Sequence, residues 1–466
     1  MSEKKYLKWY NKVGYGSGDV AGNVIYAFLT FFLMIFLTDT MGMNAGIIGT
    51  LMMVSKIFDG FSDIIFGSFI DKTKSKMGKA RPWMFYGFFG CAVLLVAIFA
   101  IPTSWGDTAK YIYFFITYTL LNAGFYTANN IAYGALTALV TRNGAERVQL
   151  GTFRFIFATA TSMTIQAVTV GAVAFMGNDA AAWRWMAIIY AVIGIITNTI
   201  AVFSVKELPD NETGNDDADK NADAKPEKKY SFKESMKLLL HNKYFVILCG
   251  TYILTQLYTA MTGMGIYYTK YILGNAELLG TFSLAINIPM IIGLISTPFL
   301  VSKCKGMYKL NITGYIISSV FRVLVLVGGY LGNVPMMLIC LAISTLGMGP
   351  LQGDINALIA AASDYTYKKD GIRIDGTMFS CTSLGVKIGG GIGVALTGWL
   401  LEAGGYIENA VVQSQSCVNM LNFIYLWLPL IINVIITVLL CFLKVEKANK
   451  DLDAKAQETI EETVNA

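Results

Sequence analysis

The sequence predicts an all-α integral membrane protein: twelve transmembrane helices in two six-helix bundles. Three observations carry that prediction. The 466 residues are 55% apolar and only 14% charged, against about 25% charged in soluble domains. The charges are clumped, many of them in the segment 206–243 and after Phe442. What remains is a set of nearly uncharged apolar stretches, such as Val24–Leu37, Phe85–Ile101 and Met186–Val205, and runs of roughly 18 such residues suggest membrane-spanning helices. This composition excludes a soluble enzyme, a nucleic-acid-binding protein and a disordered chain.

The spans fall, in order, at roughly 13–38, 45–68, 83–102, 110–139, 151–176 and 184–205, then 243–272, 278–301, 308–331, 335–362, 377–403 and 421–443. Basic residues mark alternate connectors. Lys4, Lys5, Lys8 and Lys12 precede the first span, and Lys72, Lys74, Lys76, Lys79 and Arg81 follow the second. Arg142 and Arg147 follow the fourth, and a lysine cluster follows the sixth. Lys303, Lys305 and Lys309 come after the eighth, Lys368, Lys369 and Arg373 after the tenth, and Lys444, Lys447, Lys450 and Lys455 after the twelfth. The opposite connectors 39–44, 332–334 and 404–420 contain no Lys or Arg. Basic connectors stay on the cytoplasmic side, so both termini are expected to be cytoplasmic and the protein to lie in the plasma membrane.

The expected organisation is an N-terminal six-helix bundle (1–205), a cytoplasmic linker (206–242), a C-terminal six-helix bundle (243–443) and a cytoplasmic tail (444–466). The linker is polar and rich in Asp, Asn and Lys, with a short interfacial helix expected over Ser231–Leu240. No small-residue cleavage site follows the basic start MSEKKYLKWYNK, so no signal peptide is expected. The halves are weakly alike: ALTALVTRNGAERVQLGT (135–152) parallels ALIAAASDYTYKKDGIRIDGT (357–377). A parallel repeat of six helices is the pattern of the major-facilitator fold, with its substrate site between the repeats. Seven scattered cysteines without a CxxC pair and a single histidine, His241, offer little for zinc or triad chemistry, and no cofactor is expected.

Ionisable groups inside spans usually act on a substrate or ion. Here they are Asp19, Lys56, Asp59, Asp63, Arg154, Arg322, Asp354 and Lys387. For Arg154, Arg322 and Asp354, helix–helix pairing or snorkelling is an equal alternative. In VSKIFDGFSDIIFG, Lys56, Asp59 and Asp63 share one helix face. The two carboxylates are about 6 Å apart along the axis. Lys56 offsets one negative charge, and a monovalent cation or proton would neutralise the other. Ser62 and Thr127 could add oxygen ligands. A purely structural Lys–Asp–Asp cluster is the alternative. Asp19 lies in GYGSGDVAGN with Asn23 one turn on, and the fourth span offers Asn122, Tyr126, Thr127, Asn129, Asn130 and Tyr133. A carboxylate, amides and aromatic faces suit a polyol or sugar, although Asn122 or Asn129 could equally bond helix to helix.

At these residues the chain resembles the glycoside–pentoside–hexuronide:cation symporters, the family of melibiose permease. The resemblance runs from about Tyr15 to Leu443 through GYGSGD (14–19), KIFDGFSD (56–63), GSFIDKTKSKMGKARPW (67–83), NIAYGAL (130–136), SDYTYKKDGIRIDGT (363–377) and GVKIGGGIG (385–393). It implies that Asp59 and Asp63 form the cation site with Thr127 contributing, and that Ser62 stands where melibiose permease has an asparagine ligand. Lys56 matches an arginine one turn from that site and balances charge. Asp19 matches the sugar-binding carboxylate, and Arg154 and Lys387 match basic residues near the sugar. Asn130 replaces an aspartate of melibiose permease, Gly134 a tryptophan and Gly18 a lysine, which implies a less anionic and roomier pocket. The NIAYGAL form looks more like the glucuronide, xyloside and β-glucoside branch. No C-terminal phosphotransferase-type domain is expected.

The expected function is symport of a glycoside with Na⁺, Li⁺ or H⁺ by alternating access, with β-glucosides, xylosides or glucuronides favoured over melibiose. Asp19, Asn23, Tyr126, Asn130, Arg154 and Lys387 would bind substrate, and Asp59, Ser62, Asp63 and Thr127 the cation. A monomer in the bilayer, without nucleic acid, is expected. Two alternatives stand beside this: a proton-coupled major-facilitator transporter of a non-sugar solute, and a sugar sensor that does not transport.

Overall fold

The computed structural model describes residues 5–141, 143–208, 237, 239–304, 306–371, 375–408, 410 and 412–465. Residues 209–236 and 238, which carry most of the expected linker and interfacial helix, lie outside the described residues. Every regular element among the described residues is helical. In chain order these are α1 (Trp9–Ile35) with a π-helical end (Phe36–Thr40), α2 (Ala45–Lys72), α3 (Arg81–Ile98), α4 (Asp107–Thr119), a π-helical segment (Leu120–Tyr126), α5 (Thr127–Leu139), α6 (Gly144–Phe175) and α7 (Ala180–Ser204). Then come α8 (Lys243–Gly263), α9 (Gly265–Tyr271), α10 (Leu278–Cys304), α11 (Met307–Tyr330), α12 (Val334–Asp370), α13 (Asp375–Ala403), α14 (Gln415–Asn422), a π-helical turn (Phe423–Trp427), α15 (Leu428–Phe442) and α16 (Val445–Asn465).

Among the described residues, ten helices are long and apolar enough to cross a membrane. The expected fourth span is α4, the π segment and α5 in unbroken succession. Its π segment carries Asn122 and Tyr126 of the polar stretch, and π-bulges often occur at functional sites. Helix starts follow capping chemistry. Asn44, Asn143, Asp179, Asn242 and Asn333 each accept a backbone N–H of the helix they precede. α12 ends at Gly371 with φ 71°, a left-handed conformation that glycine adopts without strain.

The chain divides into two compact units. The first comprises Met1–Glu227, Gly265–Gly280 and Val394–Met420, and the second Lys228–Met264, Thr281–Gly393 and Leu421–Ala466. The segments 265–280 and 394–420 thus join the first unit. In that unit α1 packs on α6 and α7, and α3 and α5 pack together. Phe28, Phe36, Phe99 and Trp183 stack at its core. In the second unit α11 packs on α12 and α15, and α16 packs on α12. Gly314 and Gly347 let α11 and α12 touch backbone to backbone, since a Cβ on either would strike the other's carbonyl. Large apolar side chains such as Val93, Phe175, Ile295 and Phe299 are exposed, as the lipid-facing surface of a membrane protein requires.

Candidate functional site

Asp19 on α1 is the hub of the first constellation. Its Oδ2 accepts Arg154 Nε of α6 at 2.8 Å and the Tyr133 hydroxyl of α5 at 2.9 Å. The Arg154 guanidinium lies over the Tyr133 ring, 4.0 Å from its centre. Tyr133 is fixed from behind: its hydroxyl also reaches the Tyr15 carbonyl at 2.7 Å, and the Tyr15 hydroxyl donates to the Tyr133 carbonyl at 2.8 Å. Gly18 makes room for this arrangement, because a Cβ there would sit 2.8 Å from the Tyr133 ring. The Asp19 side chain is 15% exposed and that of Arg154 26%. Both bonds use Oδ2, so among the described residues Oδ1 is left open to a ligand hydroxyl.

Asn130 stands one turn before Tyr133, is exposed, and makes no hydrogen bond to the protein among the described residues. A Cβ on Gly134 would meet nothing within 4 Å, so the space beside α5 is open. Asn23 instead donates to the Asp19 carbonyl of its own helix at 2.9 Å. Asn122 and Asn129 also bond within the fold: Asn122 reaches the Tyr118 carbonyl at 3.0 Å, and Asn129 the Met84 carbonyl at 2.9 Å. These two amides are structural in this conformation.

The second constellation surrounds Asp59 on α2, which is 8% exposed. Thr127, at the start of α5, bonds through its hydroxyl to Asp59 Oδ1 and lies 2.8 Å from the Asn122 carbonyl. Lys56 is in electrostatic reach of Asp59, Asp63, Tyr118 and Tyr26. Ser62 donates to the backbone carbonyl of Asp59 at 2.9 Å, not to its carboxylate. Among the described residues no group of three or more His, Cys, Asp or Glu is arranged for a metal ion. The oxygens here are two carboxylates and nearby hydroxyls, the donor type a monovalent cation or a proton requires.

Tyr126 connects the two sets. It is the last residue of the π segment, in electrostatic reach of both Asp19 and Asp59. A Cβ on Gly22 of α1 would lie 3.8 Å from its hydroxyl. Lys387 lies on α13 in the second unit, partly buried.

Sequence reasoning missed one buried ion pair. Asp39, at the end of α1 and 7% exposed, takes Lys270 of α9 together with the hydroxyls of Tyr271, at 2.7 Å, and Tyr406. All four residues belong to the first unit. Asp39 and Lys270 sit at the edges of their spans, so neither stood out as an intramembrane charge. The bare 39–44 connector beside an acid was the available signal.

A family model described as MFS/sugar transport protein matches residues 14–447. The chain is 28% identical over 449 residues to an isoprimeverose transporter of Lactiplantibacillus pentosus, covering 95% of this chain and 90% of that protein. It is 27% identical over 418 residues to the glucuronide carrier protein homolog of Escherichia coli, covering 87% and 86%. Among solved structures it is similar to a D-xylose–proton symporter, with TM-score 0.63 and 12% identity over 92% of this chain and 96% of that one. It is also similar to the nucleoside transporter NupG, with TM-score 0.60 and 15% identity over 92% and 98%. At such identities these structures show a shared fold. A family of multi-pass membrane transporters, not of enzymes, accounts for the long apolar helices. The chain belongs to the MFS/sugar transport protein family of the major facilitator superfamily, as one of the glycoside–pentoside–hexuronide:cation symporters.

Proposed function

We propose that this protein imports a glycoside together with one Na⁺, Li⁺ or H⁺ by alternating access, through twelve spans in two six-helix bundles. In this reading it lies in the plasma membrane with both termini cytoplasmic. The observation that carries the reading is that Thr127 bonds Asp59 while its chain neighbour Tyr126 lies in electrostatic reach of both Asp59 and Asp19. Asp59 and Asp63 together outweigh Lys56 by one negative charge, which a monovalent cation neutralises. On cation entry the Thr127 hydroxyl turns its proton to the Asn122 carbonyl, 2.8 Å away, and offers its lone pair to the ion. That switch repositions the π segment, and with it Tyr126, against the sugar on Asp19. Cation binding and sugar binding then favour the same conformation, the thermodynamic requirement for coupling.

Asp19 Oδ1 would accept a sugar hydroxyl, and Tyr126 would pack on an apolar sugar face. Asn130 and Arg154 would complete the site. A neutral Asn130 both donates and accepts, and it lowers the cost of a uronate carboxylate near Asp19. β-Glucosides, xylosides or glucuronides are therefore the expected substrates. The test is counterflow of a glycoside panel in proteoliposomes under Na⁺, Li⁺ or proton gradients. One cation should drive accumulation, and those sugars should compete better than α-galactosides. Asn130→Asp should shift the ranking towards α-galactosides and against anionic sugars. Uptake indifferent to all three gradients would overturn the coupling, and a mutant ranking like wild type would overturn the role of Asn130.

A further inference from the structure

In the second unit, α11 and α12 enclose a carboxylate with no cation. Asp354 on α12 is 5% exposed and Asn311 on α11 is 2% exposed. Asn311 Nδ2 lies 3.0 Å from Asp354 Oδ1 and 2.9 Å from Oδ2. Among the described residues Asp354 has no other side-chain partner and no ion pair with Lys or Arg.

Among the described residues, the groups around it supply no positive charge. From α16, Glu446 faces the same region, its carboxylate accepting the backbone N–H of Met307 at 3.1 Å and of Tyr308 at 2.9 Å. From α11 the neighbouring phenol is Tyr315, which is fully buried. Arg322 lies on the same face of α11, about 16 Å along the axis from Asn311, where its Nη2 is held by Tyr258 of α8 at 2.8 Å. Tyr244 of α8 packs on Tyr365, near the far end of α12. Lys368 pairs there with Asp453 of α16. α10 brings Thr297 against Gly353. Lys303 and Lys309 are exposed.

An ionised carboxylate buried without a cation is strongly disfavoured, and such a group takes up a proton instead. The amide points the same way. Asn311 Oδ1 is buried and has no hydrogen-bond partner. An ionised Asp354 has no hydrogen to give it. A carboxylic acid does: its O–H can donate to Oδ1 while Nδ2 donates to its carbonyl oxygen, closing a two-bond ring. Rotation of the amide about its last torsion, which is broad, brings Oδ1 into line. Protonation thus removes the uncompensated charge and satisfies the orphaned acceptor in one step.

We propose that Asp354 and Asn311 form a proton-binding site in the second unit, separate from the Asp59 constellation, and that Asp354 carries a proton in this conformation. One O–H bond forms on binding, and the proton comes from and returns to water. The site would make the packing of α11 on α12 sensitive to pH whichever ion is coupled to the sugar.

The test is infrared spectroscopy of the purified full-length protein in lipid, read at pH 7 and pH 9. In the wild-type-minus-Asp354→Asn difference at pH 7, the carbonyl stretch of one protonated carboxylic acid should be lost. In Asn311→Leu that band should move to the frequency of a carbonyl freed of its donor. The same pair of spectra in an Asp59→Cys background should be unchanged, which separates this site from the coupling site. Loss of a carboxylate stretch instead of a carboxylic acid band in the Asp354→Asn difference would overturn the proposal. If Asp354→Asn does not fold, the Asn311→Leu spectrum carries the test, and an acid band that does not move overturns it.

Discussion

Asp19 in the first unit and Asp354 in the second are both carboxylates inside expected spans, yet they are furnished in opposite ways. Asp19 has a guanidinium and a phenol on one oxygen and, among the described residues, leaves the other open. Asp354 has a single amide against both oxygens and no cation. The cations repeat the contrast. Arg154 is paired with Asp19, whereas Arg322, 1% exposed, bonds only Tyr258 among the described residues, with no partner there for Nε and Nη1. An intramembrane charge therefore marks a site, but its partners decide its role. The first unit sets Asp19 against a guanidinium and a phenol. The second buries Asp354 and Arg322 with neutral partners.

The largest effect should come from removing one acid of the first unit. Asp59→Cys leaves Lys56 and Asp63 balanced, with no charge for a cation to neutralise. Cation-driven accumulation in vesicles should fall to background while sugar exchange persists. Undiminished uphill uptake would end the coupling role of Asp59.

Asp19→Asn comes next. It keeps the shape but weakens every bond that a charged acceptor makes, each worth about 1.5–3 kcal/mol. Sugar affinity should drop roughly tenfold or more, with cation affinity little changed. An affinity within a factor of two of wild type would make Asp19 a purely structural partner of Arg154.

How far the sequence reached follows the same division. Where a motif places its residues on one turn or one face, as Lys56, Asp59 and Asp63 do on α2, the grouping was legible from helical periodicity alone. Thr127 was offered to the Asp59 site for its oxygen and again by the resemblance, and Asp19 near Arg154 came from the resemblance alone, because no local rule pairs residues 68 or 135 positions apart. The Asp39–Lys270–Tyr406 cluster stayed hidden for that reason, its members being 231 and 367 positions from Asp39. The amides of the fourth span were ambiguous, since a hydrogen bond to a ligand and one to a neighbouring carbonyl call for the same side chain. Only geometry separates Asn129, on the Met84 carbonyl, from Asn130, which makes no hydrogen bond to the protein among the described residues.

Arg154 and Arg322 allow a sharper test by stability. Arg154→Met leaves Asp19 without its cation and should cost roughly 1–3 kcal/mol, less than a fully buried pair because both partners are partly exposed. Arg322→Met orphans only the Tyr258 hydroxyl. Replacing a buried charge by an apolar side chain of similar volume is often neutral or stabilising. Apparent Tm in detergent should therefore fall for the first and hold or rise for the second. A larger fall for Arg322→Met would mean that its guanidinium meets an acid in another conformation.

The smallest expected difference lies outside the membrane, where each unit ties two consecutive backbone amides to one glutamate. Glu446 accepts those of Met307 and Tyr308. Glu146, near the start of α6, accepts those of Tyr6 and Leu7, both at 3.1 Å, and adds the Thr141 hydroxyl at 2.7 Å and Lys12 at 3.5 Å. Burial alone would raise the Glu146 pKa, but the Thr141 hydroxyl, the Leu7 and Tyr6 amides and Lys12 outweigh it, so the carboxyl titrates below its ordinary value. The folded state then binds this proton less readily than the unfolded one. The stabilisation is complete above the unfolded pKa of about 4.3, and it is lost as pH falls through the lowered folded value. Glu146→Gln should lower apparent Tm by roughly 2 °C at pH 7, since a kcal/mol is worth about 2–4 °C in a body of 150–250 residues. Glu446→Gln, with two donors instead of four, should lower it less. Below about pH 4 the gap between wild type and Glu146→Gln should close. A gap that stays constant from pH 7 to pH 3 would mean that Glu146 acts through its shape and not its charge.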